Sequence, residues 1–445
     1  MKGLMIFRNN LRLQHNAALQ SIKSKVDYLD CVFVIEPTWL ANANVGRSSF
    51  RDCYSGGMGE HRRRFLIECL LDLDQQLRQR GSLLGVHFGE FSEVIERLIL
   101  THDYDVIALV DLPGANEQQQ TQRLLRRFPL KQWLIADDFY LMDRADQRLG
   151  SLEYPQSFSK FRRLLDGMKI EPPKELLGRL PPPSIWAEIC LKKLARENVE
   201  EAHSHSGASL QRLQGGENAA LEQLNYYLHE RGLIRTYKKT RNGLDGWEFS
   251  SKMSGWLAQG CLSVRTLFYE IQRHEDRYGD NESTYWLRFE LWWREYFQWL
   301  ARNAGPRLFS LRGIKRVNPL LTFYPEAFMA WREGHTQCDF VNAFMKQLRA
   351  TGWMSNRGRQ IVASYLINEL GVDWRYGAAY FEQQLIDYDC ASNWGNWQYL
   401  AGVGTDPRGR RRFSMEKQKD VYDPNGEFTK AWLEEDSSYE RSSFL

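Results

Sequence analysis

Long hydrophobic runs and paired cysteines are both missing from this 445-residue sequence. No run of roughly 18 apolar residues occurs, so no segment is expected to span a membrane. The seven cysteines include no Cys-x-x-Cys pair. This pattern argues against an iron–sulfur or zinc site and favours free thiols in a reducing cytoplasm. Charged residues flank the short apolar run at the N-terminus, with Lys2 before it and Arg8 after it. This pattern predicts a first strand rather than a signal peptide.

Net charge is also low, at +3, which is too small to indicate a nucleic-acid partner by itself. The basic residues are nevertheless clustered, at 231–241, 307–316 and 408–412. A Gly-x-Gly-x-x-Gly fingerprint after the first strand is absent, which excludes that type of dinucleotide site. Tryptophan, by contrast, is abundant: the chain has 15.

The first part of the chain, residues 1–135, alternates short apolar runs with amphipathic stretches. This alternation predicts βαβ units, a parallel sheet and a Rossmann-like α/β domain. The predicted strands are Gly3–Phe7, Tyr28–Ile35, Leu83–Phe88, Val106–Val110 and Trp133–Ile135. The predicted helices are His15–Ser24, Met58–Gln79, Phe91–Leu100 and Asn116–Arg127.

Prolines break this alternation over residues 136–210, which we interpret as an interdomain connector. Residues 211–445 then show apolar residues at helical spacing and predict an all-α domain. The predicted helices there cover 217–228, 252–260, 264–278, 283–301, 324–333, 339–350, 360–370 and 374–385.

One stretch, residues 351–405, mixes Trp, Asn, Asp and Arg too densely for an ordinary core helix, because these polar groups are costly to bury unpaired. A solvated, aromatic glycine-rich loop is the alternative. The segments TGWMSNRGRQ, DWR and IDYD-x-x-SNWGNWQY resemble the flavin-binding signature of the photolyase/cryptochrome family, most of all its DASH branch. Phe158 opens a stretch that is similar to the family's connector motif.

The resemblance implies FAD as cofactor and a C-terminal helical FAD-binding domain. It assigns flavin contacts to five residues of this stretch: Asn356, Arg359, Asp387, Asp389 and Asn393. It places Asn393 at the flavin N5, where plant cryptochromes carry an acid. An amide at that place favours the reduced flavin and repair-type redox chemistry.

A second cluster precedes an apolar helix that is expected to start near Trp256. Hydroxyls and backbone N–H groups at a helix start make an anion site suited to a diphosphate, and ordinary N-capping is the alternative. By the resemblance, the FAD contacts here are Tyr237, Ser250, Ser251, Lys252, Met253 and Ser254. Arg241 is expected to lie toward DNA.

A third cluster shares one helical face through its spacing of three and four residues: Glu290, Trp293, Arg294 and Phe297. An exposed ion-pair face is the alternative. In the family's repair members, the residue at Glu290 hydrogen-bonds a pyrimidine dimer and the residue at Trp293 stacks on it. Arg294 is expected to contact the flavin.

An electron relay of three tryptophans is typical of the family. Trp397 and Trp374 match its two inner members, whereas the outer one aligns with Leu321. Tyr324 could substitute for it, or the relay could be rerouted or poor. Gln337 and Asn342 also depart from the family pattern, which suggests a divergent subgroup.

DNA contacts are expected at six residues: Arg241, Gln360, Tyr399, Arg408, Arg411 and Arg412. The four arginines between 408 and 412 could equally be a solvated loop. As part of a DNA site they would contact phosphates without sequence preference. The (6-4) photolyases carry two histidines at the places of Asn356 and Gln360, so a cyclobutane dimer is the expected lesion.

An antenna chromophore is the last expectation that follows from the resemblance. Glu117 lies where a contact to a methenyltetrahydrofolate-type folate is expected. The family's acids at the places of Asn10 and His15 are absent, and these departures are expected to affect hydrogen bonds rather than chemistry.

The resulting hypothesis is a cytoplasmic, monomeric deoxyribodipyrimidine photo-lyase that prefers single-stranded DNA. Excited reduced FAD passes an electron to the dimer, the ring splits and the electron returns, with Glu290 stabilising the dimer radical anion; no metal is needed. The alternatives are a blue-light receptor that signals through a partner without repair, and a flavoprotein that binds DNA without activity. The family's long signalling tail is absent after the helical domain.

Overall fold

A computed structural model of the chain describes residues 1–40, 57–143, 157–184 except 166, 171, 176 and 177, 213–406 and 409–442. Its first half is a five-stranded parallel sheet with the strand order β3-β2-β1-β4-β5. The strands are β1 (Lys2–Phe7), β2 (Tyr28–Ile35), β3 (Leu84–Phe88), β4 (Val106–Val110) and β5 (Gln132–Ala136). The predicted strands and their parallel pairing are confirmed.

Helices cover both faces of the sheet. They are α1 (Ala17–Lys23), α2 (Pro37–Leu40), α3 (Glu60–Gln79), α4 (Phe91–His102) and α5 (Ala115–Arg127). Met5 and Phe7 of β1 enter one core with α1 and α3, whereas Leu4 and Ile6 enter a second core with α4 and α5. Burial on both faces explains why these strands are continuous apolar runs rather than alternating ones.

The second half is helical, as predicted. Its helices are α6 (Phe158–Leu165), α7 (Glu217–Asn225), α8 (Tyr237–Thr240), α9 (Ser254–Gln259), α10 (Val264–Tyr278), α11 (Glu282–Ala304), α12 (Pro325–Glu333), α13 (Asp339–Thr351), α14 (Asn356–Asn368), α15 (Trp374–Gln384), α16 (Cys390–Ala401), α17 (Met415–Tyr422) and α18 (Glu427–Ser442). A π-turn (Tyr226–Glu230) and 3₁₀ turns (Leu233–Thr236, Trp247–Phe249, Gly305–Phe309) complete it. No helix in the described ranges is long and apolar enough to cross a membrane.

The structure differs from the sequence-based expectation at α14 and at α16, and in both cases a side-chain cap determines where the helix begins. Helix α14 was expected to begin at Gln360, but it begins at Asn356 because the Ser355 side chain accepts a hydrogen bond from the Gly358 N–H at 3.1 Å. Helix α16 was not expected at all. Asp389 caps its start by accepting from the Ser392 N–H at 2.7 Å.

Buried charged side chains join the two halves. The buried Arg12 pairs with Asp138 at 2.5 Å and donates across to the Gly260 carbonyl of the helical half at 2.9 Å. The Glu295 carboxylate on α11 is completely buried and accepts hydrogen bonds from the backbone N–H groups of Leu141 and Met142 at 2.7 and 3.1 Å. The chain that leaves the sheet is therefore fastened to the helical half.

Glu295→Ala should destabilise the protein by about 3 kcal/mol, because it leaves two buried N–H donors without an acceptor. Urea unfolding of the purified variant measures this change. Glu326→Ala, at an exposed position of α12, is the control and should change the free energy of unfolding by less than about 0.5 kcal/mol. Equal stability of the two variants would contradict the assigned role of Glu295.

Candidate functional site

Helix α11 carries the predicted face of Glu290, Trp293 and Arg294. The Glu290 carboxylate forms an ion pair with the Arg241 guanidinium at 2.5 Å, so the loop after α8 meets α11 here. Burial raises the pKa of Glu290, and the charge of Arg241 opposes this rise. A partly desolvated carboxyl group of this kind can donate a hydrogen bond when protonated and accept one when ionised.

Trp293 forms the floor of the same region. Its ring stacks on Phe158 of α6 with 3.7 Å between centroids and an angle of 8°. It also meets the Tyr399 ring of α16 edge-on at 5.8 Å. Arg411 donates to the Tyr399 hydroxyl at 2.6 Å and pairs with Asp406 at the same distance. The structure therefore brings three predicted site residues, Trp293, Tyr399 and Arg411, into one cluster.

Helices α11 and α16 approach closely where the motif has a glycine. A Cβ atom at Gly395 would lie 2.3 Å from the Phe297 ring. Gln298, next along α11, donates to the Asp389 carboxylate at 2.9 Å. The same contact between α11 and α16 places Tyr399 against Trp293. Two motifs about 100 residues apart in the sequence thus form one site.

The carboxylates Asp387 and Asp389 have different roles. Asp387 pairs with Arg359 through Oδ2 at 2.9 Å, while its Oδ1 is buried and has no hydrogen-bond partner among the described residues. Asp389 caps α16. The Asn393 amide group donates to the Ala378 carbonyl at 2.9 Å, which fixes its orientation and keeps its own oxygen for another partner.

Lys252 is an unusual buried cation in the Ser250–Ser254 segment. Its side chain is 8% exposed, its φ is +59°, and its ammonium lies 3.7 Å from the centroid of the Trp353 ring. Burial lowers the pKa of Lys252 to about 7, although Asp245 opposes the shift. The serine cap that was the alternative interpretation is not formed: Met253 occupies the N-cap position of α9 without a side-chain cap. Ordinary N-capping therefore does not explain the serines.

Arg294 lies deeper in the site. It donates to the Phe139 carbonyl at 3.1 Å and its guanidinium rests on the Phe139 ring. Burial lowers the pKa of Arg294, and the charge of Asp389 opposes this shift. The buried Tyr237 hydroxyl likewise has a raised pKa because of its burial, with Glu290 adding to the rise.

Other predicted contacts lie farther out. Asn356, the first residue of α14, is exposed. Gln360 accepts a hydrogen bond from Arg357 at 3.1 Å. Arg412 points away from the cluster and forms a bidentate ion pair with Glu369 at 3.0 and 3.1 Å. This pair lies beside a groove of about 1000 Å³. Arg408 lies outside the described residues.

The sequence reasoning missed Arg357. Its guanidinium lies over the Tyr422 ring at 4.7 Å and donates to the Asn242 side chain at 3.3 Å. It therefore stands between Arg241 and Gln360 on the same rim, and the electrostatic influence of Arg241 reaches it. Its position inside the TGWMSNRGRQ segment was the available signal.

The predicted relay residues are placed as follows. Trp397 and Trp374 are buried, and the Trp397 ring fills the space over Gly377, where a Cβ atom would lie 2.2 Å from it. Leu321 is partly buried against the core. Tyr324 is 53% exposed at the start of α12.

Glu117 lies at the junction of the two halves. It occupies the first turn of α5, and its charge adds to the burial that raises the pKa of Glu382 on α15, while Arg62 opposes that rise. The Glu382 carboxylate accepts from the Trp394 indole N–H at 3.0 Å. The charge of Glu117 on α5 thus reaches the Glu382 carboxyl on α15 across the junction.

The residues present fit a flavin with a diphosphate. Asp387 offers a buried, unpartnered acceptor, and Asn393 offers an oriented amide oxygen. The buried Lys252 ammonium supplies a cation whose charge is poorly compensated by the protein alone. No group of three or more metal-ligating side chains occurs among the described residues.

Two family models and several known proteins match this chain. Residues 286–444 match a family model described as the FAD binding domain of DNA photolyase, and residues 4–178 match one described as DNA photolyase. The chain is 43% identical to the cryptochrome DASH of Idiomarina loihiensis over 433 residues, which cover 97% of this chain and 92% of that protein. It is 35% identical to the cryptochrome DASH of Xenopus laevis, over 97% of this chain and 82% of that protein.

Solved structures show the same architecture. A cryptochrome from Synechocystis matches with a TM-score of 0.84 and 33% identity, over 97% of this chain and 88% of that one. A class III photolyase from Agrobacterium tumefaciens matches with a TM-score of 0.81 over 98% of this chain and 86% of that one. At 24% identity, the second match supports the fold alone.

The low pKa of Lys252 predicts a pH dependence of the flavin-free protein. Unfolding returns the lysine to an ordinary pKa near 10.4, so the unfolded chain binds more protons between pH 7 and about 10. Ionisation of Lys252 should therefore make the free energy of unfolding rise with pH in this window. This gain in stability is lost as pH falls toward 7. Urea unfolding at several pH values measures it.

Lys252→Met is the matched variant, because it keeps the chain length and removes the charge. The slope of unfolding free energy against pH should be shallower in this variant than in the parent protein, by at most about 1.4 kcal/mol per pH unit. Identical slopes would show that Lys252 stays protonated in the folded protein.

Proposed function

The chain belongs to the photolyase/cryptochrome family, and from that premise we propose that it splits cyclobutane pyrimidine dimers in blue light with FAD as cofactor. One observation carries the proposal: Trp293 and Tyr399 meet at the contact of α11 with α16, and Glu290 lies one helical turn before Trp293 on α11. A hydrogen-bonding carboxyl above an aromatic floor suits a flipped-out pair of pyrimidines. The DASH relatives and the retained Glu290 support this reading.

The proposed FAD contacts are those that the sequence indicated: Tyr237, Ser250, Ser251, Lys252, Met253, Ser254, Arg294, Asn356, Arg359, Asp387, Asp389 and Asn393. Bound and reduced, the flavin supplies the electron that light drives into the dimer. Asn393 orients an amide oxygen toward the cofactor, and Arg359 keeps Asp387 ionised by pairing with it. Lys252 provides positive charge for the diphosphate.

The dimer is held by the residues of the α11 rim. Trp293 and Tyr399 offer ring surfaces for the unstacked bases, and Glu290 hydrogen-bonds the dimer and stabilises the negative charge that develops on it. Arg241 stabilises the ionised form of Glu290 in the free protein, and its own charge attracts the DNA backbone. The lesion is a cyclobutane dimer because neither Asn356 nor Gln360 can supply the proton that a histidine would.

Single-stranded DNA is the proposed preferred substrate. A dimer must leave the base stack to reach this site, and extrusion from a single strand costs less than extrusion from a duplex. Arg411 and Gln360 would contact the backbone without sequence preference, and binding should weaken with salt. Arg412 would first have to break its ion pair with Glu369, so we assign it a smaller part in DNA binding. Arg408 remains a proposed DNA contact on the basis of the sequence alone.

A folate antenna is proposed at Glu117. Carboxylate oxygens such as those of Glu117, whose charge also reaches Glu382, suit a ligand that presents several N–H donors, as a pterin ring does. The protein should therefore retain a methenyltetrahydrofolate-type chromophore, and Glu117→Ala should lose at least about nine-tenths of it, a tenfold weaker binding. Absorbance spectra of the purified proteins measure retention. An unchanged antenna band in the variant would contradict this assignment.

We further propose that the protein acts as a monomer in the cytoplasm. Some plant relatives are named chloroplastic/mitochondrial, so fractionation of the source cells is the check, and recovery of the protein in an organelle would contradict the assignment.

Repair by Glu290 variants tests the function. Glu290→Ala should lower the repair rate of a dimer-containing oligonucleotide by about 100-fold, the scale found when one group that stabilises developing charge is removed. The FAD content should stay unchanged, and Glu290→Gln should retain more activity because its amide still donates a hydrogen bond. Glu282→Ala, an exposed position on the same helix, is the control and should repair normally.

Normal repair by Glu290→Ala would remove the role assigned to Glu290. Absence of repair in the parent protein, with the flavin bound and reduced, would favour the alternative, a blue-light receptor without repair. The substitution of Leu321 at the outer relay position is the observation that favours this alternative.

A further inference from the structure

A second line of oxidisable rings leaves Trp397. The Trp397 ring meets the Trp331 ring at 6.3 Å between centroids, at an angle of 76°. Trp331 in turn meets the Tyr380 ring at 5.9 Å and 69°. Both distances fall in the range of directly packed aromatic pairs. The three side chains therefore form a continuous path of ring contacts that does not pass through Leu321.

All three rings are fixed in place. Trp397 is 2% exposed, Trp331 is completely buried, and Tyr380 is 5% exposed. The Trp331 indole N–H donates to the Val362 carbonyl at 3.0 Å, which anchors its ring between α14 and α15. Fixed rings in contact favour electron transfer, because the rate falls steeply with distance and little reorganisation accompanies each step.

The neighbouring paths are less suitable. Phe328 and Phe323 also extend from Trp331, but phenylalanine is too hard to oxidise to act as a relay. Trp374 pairs with Trp394 at 5.8 Å, and the Trp394 indole donates to the Glu382 carboxylate. Beyond Trp374, the expected outer position is the aliphatic Leu321.

We propose that Trp397, Trp331 and Tyr380 form the relay that supplies electrons to the bound flavin, and that Tyr380 is its terminal donor. The proposal rests on FAD being the cofactor, as proposed above, but not on dimer repair. It assigns a function to two residues, Trp331 and Tyr380, that the relay inferred from the sequence did not include.

The proposed relay moves one electron at a time toward the flavin. With the oxidised flavin bound and photoexcited, Trp397 would supply it with one electron, Trp331 would return an electron to Trp397, and Tyr380 would return one to Trp331. Tyr380 loses its phenolic proton in this step and becomes a neutral radical. A thiol reductant from solution then returns one hydrogen atom, an electron with a proton, to the Tyr380 oxygen and becomes a thiyl radical.

The surroundings of Tyr380 suit a terminal donor. Its hydroxyl lies 3.5 Å from the Arg332 carbonyl, near the end of α12. Burial raises its pKa to about 12, with Arg332 and Arg349 opposing this rise and Glu333 adding to it, so the phenol is neutral before oxidation. The Glu333 carboxylate, 38% exposed, stands near enough to influence it and is a candidate acceptor for the proton.

Blue-light reduction of the oxidised holoprotein in the presence of dithiothreitol tests the relay, with electron paramagnetic resonance after a flash as the second readout. The parent protein should show a tyrosyl radical that narrows when its tyrosines are ring-deuterated. Tyr380→Phe should abolish this signal. Tyr380→Phe and Trp331→Phe should each slow flavin reduction by about tenfold, and Trp374→Phe by less.

Tyr376→Phe is the matched control, because Tyr376 is joined to Trp331 through Phe328, a ring that does not relay electrons. It should keep the tyrosyl signal. A radical that survives in Tyr380→Phe, or a loss of photoreduction confined to Trp374→Phe, would overturn the proposal. Flavin absorbance and thermal melting confirm that each variant is folded and loaded.

Repair after chemical reduction separates this proposal from the proposed function. Chemically reduced Tyr380→Phe should repair dimers as the parent protein does, since the relay is then not needed. If the parent protein photoreduces normally but repairs nothing, the repair proposal fails and the relay stands. If repair is normal and the tyrosyl radical is absent from the parent protein, the relay fails alone.

Discussion

The close contact between α11 and α16 is the constraint on which the site depends. Gly395 leaves the space that the Phe297 ring occupies, and Gln298 holds the Asp389 carboxylate at the start of α16. Any side chain at Gly395 would force the helices apart and separate Tyr399 from Trp293. Because interiors are close-packed, such a shift could not be absorbed locally. The face of α11 proposed to bind the lesion and the motif on α16 proposed to bind the flavin are thus held together across one glycine.

The candidate site also contains buried polar groups whose hydrogen bonds or charges are only partly compensated by the protein. Asp387 keeps one oxygen without a partner in the described chain, and the pKa of Lys252 is low because its ammonium is buried. Each costs stability in the free protein. A diphosphate flavin would satisfy both, so cofactor binding and folding should reinforce each other. The proposed substrate rim differs, because Glu290 and Arg241 already form an ion pair with each other in the free protein.

The sheet and most helices were predictable because their apolar periodicity is strong and long. Helix α16 was not, because Asn, Gly and Trp favour a loop locally, and its start depends on the Asp389 cap and its packing on α11. Most site residues could be named from the motifs, but not their pairings. Nothing in the sequence indicates that Arg241 pairs with Glu290, or that Arg412 turns to Glu369. The Trp331–Tyr380 contact joins α12 to α15, so only the tertiary structure reveals it.

The most direct test of the account follows thymine absorbance while the chemically reduced protein is illuminated with blue light. A dimer-containing oligonucleotide is supplied as a single strand and, in parallel, as a duplex. The account predicts that thymine absorbance returns in the single strand and more slowly in the duplex, since duplex extrusion costs more. No return in either, with the flavin bound and fully reduced, would contradict the central claim of light-driven dimer repair.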